Sequence, residues 1–332
     1  MRILFVCIFI PFILALFACK SNTRKTFEET PEKEVSESIK AADFCADSAY
    51  YFIKEQVNFG PRVPNTPSHE KCGIWLEKAF RKYTKNVIVQ PFTARAYNGD
   101  KLNCKNIIAS FAPQNPTRIL LVSHWDSRPY ADNDPDSTKH HTPIDGANDG
   151  ASGVGVLLEI ARQLRIFPAK VGVDILLVDA EDYGAPMDYN YTGTDDWALG
   201  SQYWSNNPHV PGYGARFGIL FDMVGGENAV FTFEGTSLYY APDVAQRIWS
   251  IGASIGYSDY FSTERTNAIT DYHVYINQIR QVPTVDIIQH DPSTRSGFNQ
   301  YWHTVKDNMS NISKPTLMAV GQTVLTTIYT IK

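Results

Sequence analysis

The spacing of hydrophobic positions changes several times along the chain, and each change marks an element. Apolar residues recur at helical spacing over residues 43–57 and again over 68–82. Between them lies a loop stiffened by prolines, Phe59-Gly60-Pro61-Arg62-Val63-Pro64. Residues 87–96 and 104–111 have strand character, residues 118–124 and 171–179 are short apolar runs, and residues 153–164 return to helical spacing. Further on, the pattern predicts a strand over 218–224, a helix over 241–255, a strand over 284–288 and a C-terminal helix from about Lys314. Continuous apolar strands alternating with helices predict a largely parallel sheet with helices on both faces. No internal linker interrupts this alternation, so residues 41–332 are expected to form a single α/β domain.

The N-terminal residues differ from the rest. Arg2 precedes an apolar run over residues 3–18 that carries no charge, short for a membrane span and suited to a signal-peptide core. It ends in Leu16-Phe17-Ala18-Cys19, which resembles a bacterial lipobox. Residues 1–18 are therefore expected to be a lipoprotein signal peptide, with Cys19 lipidated after cleavage. An ordinary signal peptide or an uncleaved anchor is the alternative. Residues 19–40 are rich in Lys, Glu, Thr and Ser and too poor in apolar surface to fold, so they read as a flexible tether. On this reading the protein is exported and sits on the periplasmic face of a bacterial membrane, touching it only through the lipid anchor. Cys45, Cys72 and Cys104 are spaced too widely for a metal knuckle, and an exported protein could join one pair as a disulfide.

Composition narrows the function classes. With 332 residues, 43% of them hydrophobic, the chain can bury a large core, while a net charge of −5 and no dense Lys/Arg stripe argue against a nucleic-acid partner. In an open α/β sheet, ligands bind beyond the carboxyl ends of the strands. The run ending at Ser123 delivers His124-Trp125-Asp126, and the run ending at Val178 delivers Asp179-Ala180-Glu181-Asp182. The run ending at Phe221 delivers Asp222, and the strand over 284–288 leads toward Trp302-His303. Asp149 opens a helix from the Gly-flanked loop Asp145-Gly146-Ala147-Asn148-Asp149-Gly150, where it could simply be a cap. Converging anionic groups repel one another unless a cation or a shared proton compensates. Asp, Glu and His are also oxygen and nitrogen donors of the kind zinc takes. His140 and His141, in a loop with Asp132, Asp134 and Asp136, read as solvated residues, as do His69, His209 and His290.

The ordered series His124-x-Asp126, Asp149, Glu181-Asp182, Asp222 and Trp302-His303-Thr304 resembles the zinc aminopeptidase-like family, and within it the glutaminyl cyclases of animal type found in bacteria. The resemblance runs from about Ala42 to the C-terminus and includes the loop 59–64, the segment 195–201 and Asp271-Tyr272-His273. It implies a three-layer α/β/α fold with a mixed, mostly parallel sheet. It implies one zinc per chain held by Asp149, Asp182 and His303, with Glu181 as general acid/base beside Asp222 and Asp271, and Trp302 framing the substrate. The activity implied is conversion of N-terminal Gln of peptides or proteins to pyroglutamate with release of ammonia, and the chain is expected to act as a monomer. His124 and Asp126 are then supports, although in two-zinc aminopeptidases of the same fold the matching His binds a second metal together with an acid matching Asp222. Two departures stand out: the second acid of the usual glutamate pair is Asp182, and the acid-acid-His segment has Tyr272 at its middle position. Residues 183–196 look like an inserted loop at the rim of the site. A two-zinc aminopeptidase and a non-catalytic binding module of this fold remain the alternatives.

Overall fold

The structure, a computed structural model, describes residues 42–331 apart from residues 191, 194 and 195. The expected signal peptide, Cys19 and the tether lie outside the described residues. Helix α1 (Ala46–Val57) and helix α2 (Pro67–Arg81) come first. Thr66 caps α2 by accepting from the backbone N–H of His69, and Pro67 occupies the first turn, where its missing N–H costs nothing. A hairpin, β1 (Asn86–Arg95) and β2 (Lys101–Phe111), leads to β3 (Arg118–His124), α3 (Ala151–Ile166) and β4 (Gly172–Val178). Then follow α4 (Leu199–Asn206), β5 (Phe217–Asp222), β6 (Phe231–Phe233), α5 (Gly235–Tyr240), α6 (Pro242–Ser254) and β7 (Phe261–Arg265). The short α7 (His273–Tyr275) continues into a π-helical turn, and β8 (Thr284–Ile288) and α8 (Lys314–Tyr329) complete the chain.

The main sheet has the order β1-β2-β4-β3-β5-β8. Strands β4, β3, β5 and β8 run parallel, while β2 pairs antiparallel with both β1 and β4. The sheet is thus mixed and mostly parallel, as expected. β6 and β7 form a separate two-stranded sheet. Alternation along β3 shows how the layers are built. Ile119 and Leu121 enter one core with α1, α3, α6 and α8, whereas Leu120 and Val122 enter a second core with Trp204 of α4 and Ile276 after α7. Both faces are covered, which is why these strands read as unbroken apolar runs.

Chain order reverses at β3, whose neighbours are β4 on one side and β5 on the other. That is a topological switch point, and a crevice forms beyond the carboxyl ends of the strands around it. β5 stops at Asp222, two residues short of the expected end, because Met223 turns left-handed with φ of 48°. Cys45, Cys72 and Cys104 are free thiols. Among the described residues no helix is long and apolar enough to cross a membrane.

Helix α3 lies so close to the sheet that a Cβ on Gly153 would collide with Ser123 Oγ and stand 2.7 Å from the carbonyl oxygen of Phe221. Gly153→Ala is therefore expected to lower the unfolding free energy by about 1–3 kcal/mol, the usual range for overpacking a tight core. Urea titration would measure it, and a variant as stable as the parent would show that α3 is not held this tightly.

Candidate metal centre and active-site cavity

Three elements deliver the donors. Asp149 ends the loop before α3, Asp182 follows β4 by four residues, and His303 lies between β8 and α8. Nε2 of His303 stands 3.1 Å from Asp182 Oδ1 and 3.5 Å from Asp149 Oδ2. One donor atom from each of the three lies within 4.8 Å of the others, and all three residues are buried.

Backbone groups fix each donor. Asp126 accepts the backbone N–H groups of Glu181 and Asp182, both at 3.1 Å, so one carboxylate holds two neighbouring site residues. Asp307 does the same for Asn148 and Asp149, at 2.8 and 3.0 Å. Arg62, from the proline-stiffened loop, is fully buried and donates to the carbonyls of Trp125, Asp145 and Gly146, clamping the Asp149 loop from below. The site also concentrates strain. Ala180, Met223 and His303, each beside or within the donor set, are non-glycine residues with φ between 48° and 53°. Such conformations cost on the order of 1–3 kcal/mol apiece and persist only where surrounding contacts over-determine them.

The donors open onto a cavity lined by Asp149, Glu181, Asp182, Asp222 and Asp271 together with Trp197, Phe298 and Trp302. Its electrostatics follow from crowding. Burial pushes the Glu181 carboxyl well above its ordinary range, and the charges of Asp182, Asp271 and Asp222 push it further. Asp222 is raised to about 6, chiefly by burial. For His303 burial acts downward, but Asp182, Asp132 and Asp149 outweigh it and lift the imidazole to about 10. Asp149 goes the other way: burial would raise it, yet the neighbouring imidazoles of His124 and His303 hold it below its usual range.

A metal fits this chemistry. Asp149 Oδ2 and Asp182 Oδ2 are buried without a hydrogen-bond partner, a costly arrangement unless a cation supplies the missing interaction. The set of two carboxylates and one imidazole matches a zinc site with an open position. A second trio also clusters: His124 Nε2 is 3.0 Å from Asp149 Oδ1 and 3.4 Å from Asp222 Oδ1, and both of its ring nitrogens lack partners. His124 nevertheless does not line the cavity.

Of the site residues expected from the sequence, Asp149, Glu181, Asp182, Asp222, Asp271, Trp302 and His303 line this cavity, His124 and Asp126 contact residues that do, and Cys19 lies outside the described residues. Tyr272, the departure from acid-acid-His, is buried with its hydroxyl donating to Phe221 O and accepting from His124 N, so it ties the ends of β3 and β5 together. Other readings change. His141 is exposed as expected and His140 is half-buried against the Asp134 carbonyl, while the loop acids Asp132 and Asp134 are buried, accepting from Arg128 and Val305. His69 is buried too, paired with Asp179 at 2.9 Å and stacked on Trp125. Sequence reading gave no role to Arg128, Asp132 or Asp307. The spacing of Arg128 four residues before Asp132 was the available signal, since the two pair directly.

A solved Zn-dependent exopeptidase from Parabacteroides distasonis is 51% identical over 88% of this chain and 100% of its own, with a TM-score of 0.87. Bacteroides thetaiotaomicron glutaminyl cyclase, solved with N-acetylhistamine, is 52% identical over 88% of this chain and 100% of its own, with a TM-score of 0.87. The glutaminyl-peptide cyclotransferase of Gloydius blomhoffii is 27% identical over 274 residues, covering 73% of this chain and 67% of that protein. The pattern of Peptidase family M28 matches residues 106–328, and the chain belongs to that family.

Proposed function

We propose that this protein is a zinc-dependent glutaminyl-peptide cyclotransferase, which closes the N-terminal Gln of peptides and proteins to pyroglutamate. The observation that carries the reading is the placement of Glu181 beside Asp149, Asp182 and His303 in one aromatic-walled cavity. The 52% identity to a bacterial glutaminyl cyclase supports it.

In the reaction the α-amine nitrogen bonds to the side-chain carbonyl carbon, the bond from that carbon to the amide nitrogen breaks, and ammonia leaves. The nucleophile is tethered to its target, so holding the bent conformer is a large part of the task. Trp197, Phe298 and Trp302 supply apolar walls for it. Zinc held by Asp149, Asp182 and His303 would supply a Lewis acid for the carboxamide. Glu181 takes the proton from the attacking amine and returns it to the departing ammonia. Asp222 and Asp271, on the same cavity wall, hydrogen-bond the leaving amide nitrogen.

A two-zinc aminopeptidase is the second reading, favoured by the His124–Asp149–Asp222 cluster and by the solved exopeptidase. The export reading stands on Leu16-Phe17-Ala18-Cys19, which would hold the enzyme at the periplasmic face by a lipid on Cys19.

Ammonia release from a Gln-initiated peptide is expected, with no release of p-nitroaniline from a Leu anilide; the reverse result would favour the aminopeptidase. Glu181→Gln is expected to lower kcat by about 10²–10⁴-fold, the usual worth of a positioned acid/base. Retained cyclisation in that variant would remove Glu181 from the mechanism. Mass spectrometry of the full chain expressed in a bacterium is expected to find acylated Cys19, and Cys19→Ser to abolish membrane retention; an unmodified, soluble parent would end the anchor reading.

A further inference from the structure

Residues 128–134 leave the end of β3 just past Asp126 and touch both loops that bring Asp182 and His303 to the cavity. Toward His303 there are three contacts. Asn133 N donates to the carbonyl of His303 at 3.0 Å, Val305 N donates to Asp134 Oδ2 at 3.2 Å, and Asp132 Oδ1 faces His303 Nδ1 at 3.5 Å. Toward the Asp182 loop, Arg128 donates to the carbonyls of Asp182, Gly184 and Ala185, and Asp132 Oδ2 accepts from Met187 N. Arg128 and Asp132 are joined by a two-pronged pair at 2.9 and 2.5 Å, with both side chains buried. The guanidinium also lies over Trp197 at 4.5 Å, and the Trp197 ring is parallel to that of His303. Gly184 packs against Trp197 so closely that a Cβ there would collide with the indole.

This arrangement constrains two things at once. A proton on His303 Nδ1 directed at Asp132 leaves the Nε2 lone pair facing Asp182 and Asp149, which is the tautomer a metal needs. Arg128 Nη1 also stands 3.9 Å from Asp182 Oδ1, so its charge would oppose a cation unless Asp132 balanced it. We propose that Asp132, locked by Arg128, is a positioning residue that aims His303 and neutralises Arg128, and so sets the affinity of the site for zinc. The inference rests on Asp149, Asp182 and His303 being the ligands.

The test is zinc affinity of the full-length protein, measured by competition with a chromophoric chelator. An amide at position 132 cannot offer acceptors to both prongs of Arg128, His303 and Met187, so Asp132→Asn is expected to bind zinc about 10–100-fold more weakly. Asp136→Asn, which alters an exposed acid of the same loop, is expected to leave affinity unchanged. The visible spectrum of cobalt-substituted protein is expected to shift in Asp132→Asn and not in Asp136→Asn, a change that a general loss of stability would not produce. His303→Ala separates the two levels. If it keeps wild-type zinc affinity, the ligand reading fails. If it loses zinc while Asp132→Asn stays within twofold of the parent, the ligands stand and the role of Asp132 is overturned. Should Asp132→Asn fail to fold, Arg128→Lys poses the same question, because Lys cannot hold both oxygens in a fork. Weaker zinc binding by that variant supports the proposal, and unchanged binding overturns it.

Discussion

Five carboxyl groups share the wall of one cavity, and their mutual repulsion is the constraint around which the carboxyl end of the sheet is organised. Buried acids at such density either take up protons or find positive charge. Both solutions are present. Glu181 and Asp271 are pushed well above the usual carboxyl range, Glu181 and Asp271 alike chiefly by burial. Asp149 and Asp182 instead converge with an imidazole, leaving oxygens that no hydrogen bond satisfies. A zinc ion answers the second need.

The supports make sense in that light. Asp126 and Asp307 spend both carboxylate oxygens on backbone N–H groups at the site, and Arg62 and Arg128 spend most of their donors on backbone carbonyls around it. Left-handed conformations at Ala180, Met223 and His303 accompany these supports, and strain of that kind persists only where surrounding contacts offset it. This is how loops, usually the mobile part of an α/β domain, can present donors rigidly.

Much of this was legible in the chain. The parallel strands announce themselves as unbroken apolar runs because both faces are covered, and Glu181, Asp182 and Asp222, just past the ends of such runs, reach the cavity. Helix α4 was not legible: its buried face includes Gly200, Ser201 and Ser205, which carry no hydrophobic period. Strand β6, three residues long, is too short to show alternation. Asp132 and Asp307 resemble ordinary loop acids in sequence, because what buries them is backbone far away in the chain. Asp307 meets Asp149 across 158 positions. The family resemblance supplied the assignment of ligands; geometry supplied the reason they need Asp126, Asp307 and Asp132.

Two trios of donors share Asp149, and the difference between a cyclase and a two-metal peptidase turns on which of them is filled. Both trios are buried, and in each the donor atoms lie within 4.8 Å of one another. Anomalous X-ray scattering at the zinc edge, from crystals of the zinc-loaded protein, decides the matter most directly. The account predicts one strong peak among Asp149, Asp182 and His303. A second peak of comparable height between His124 and Asp222 would contradict it.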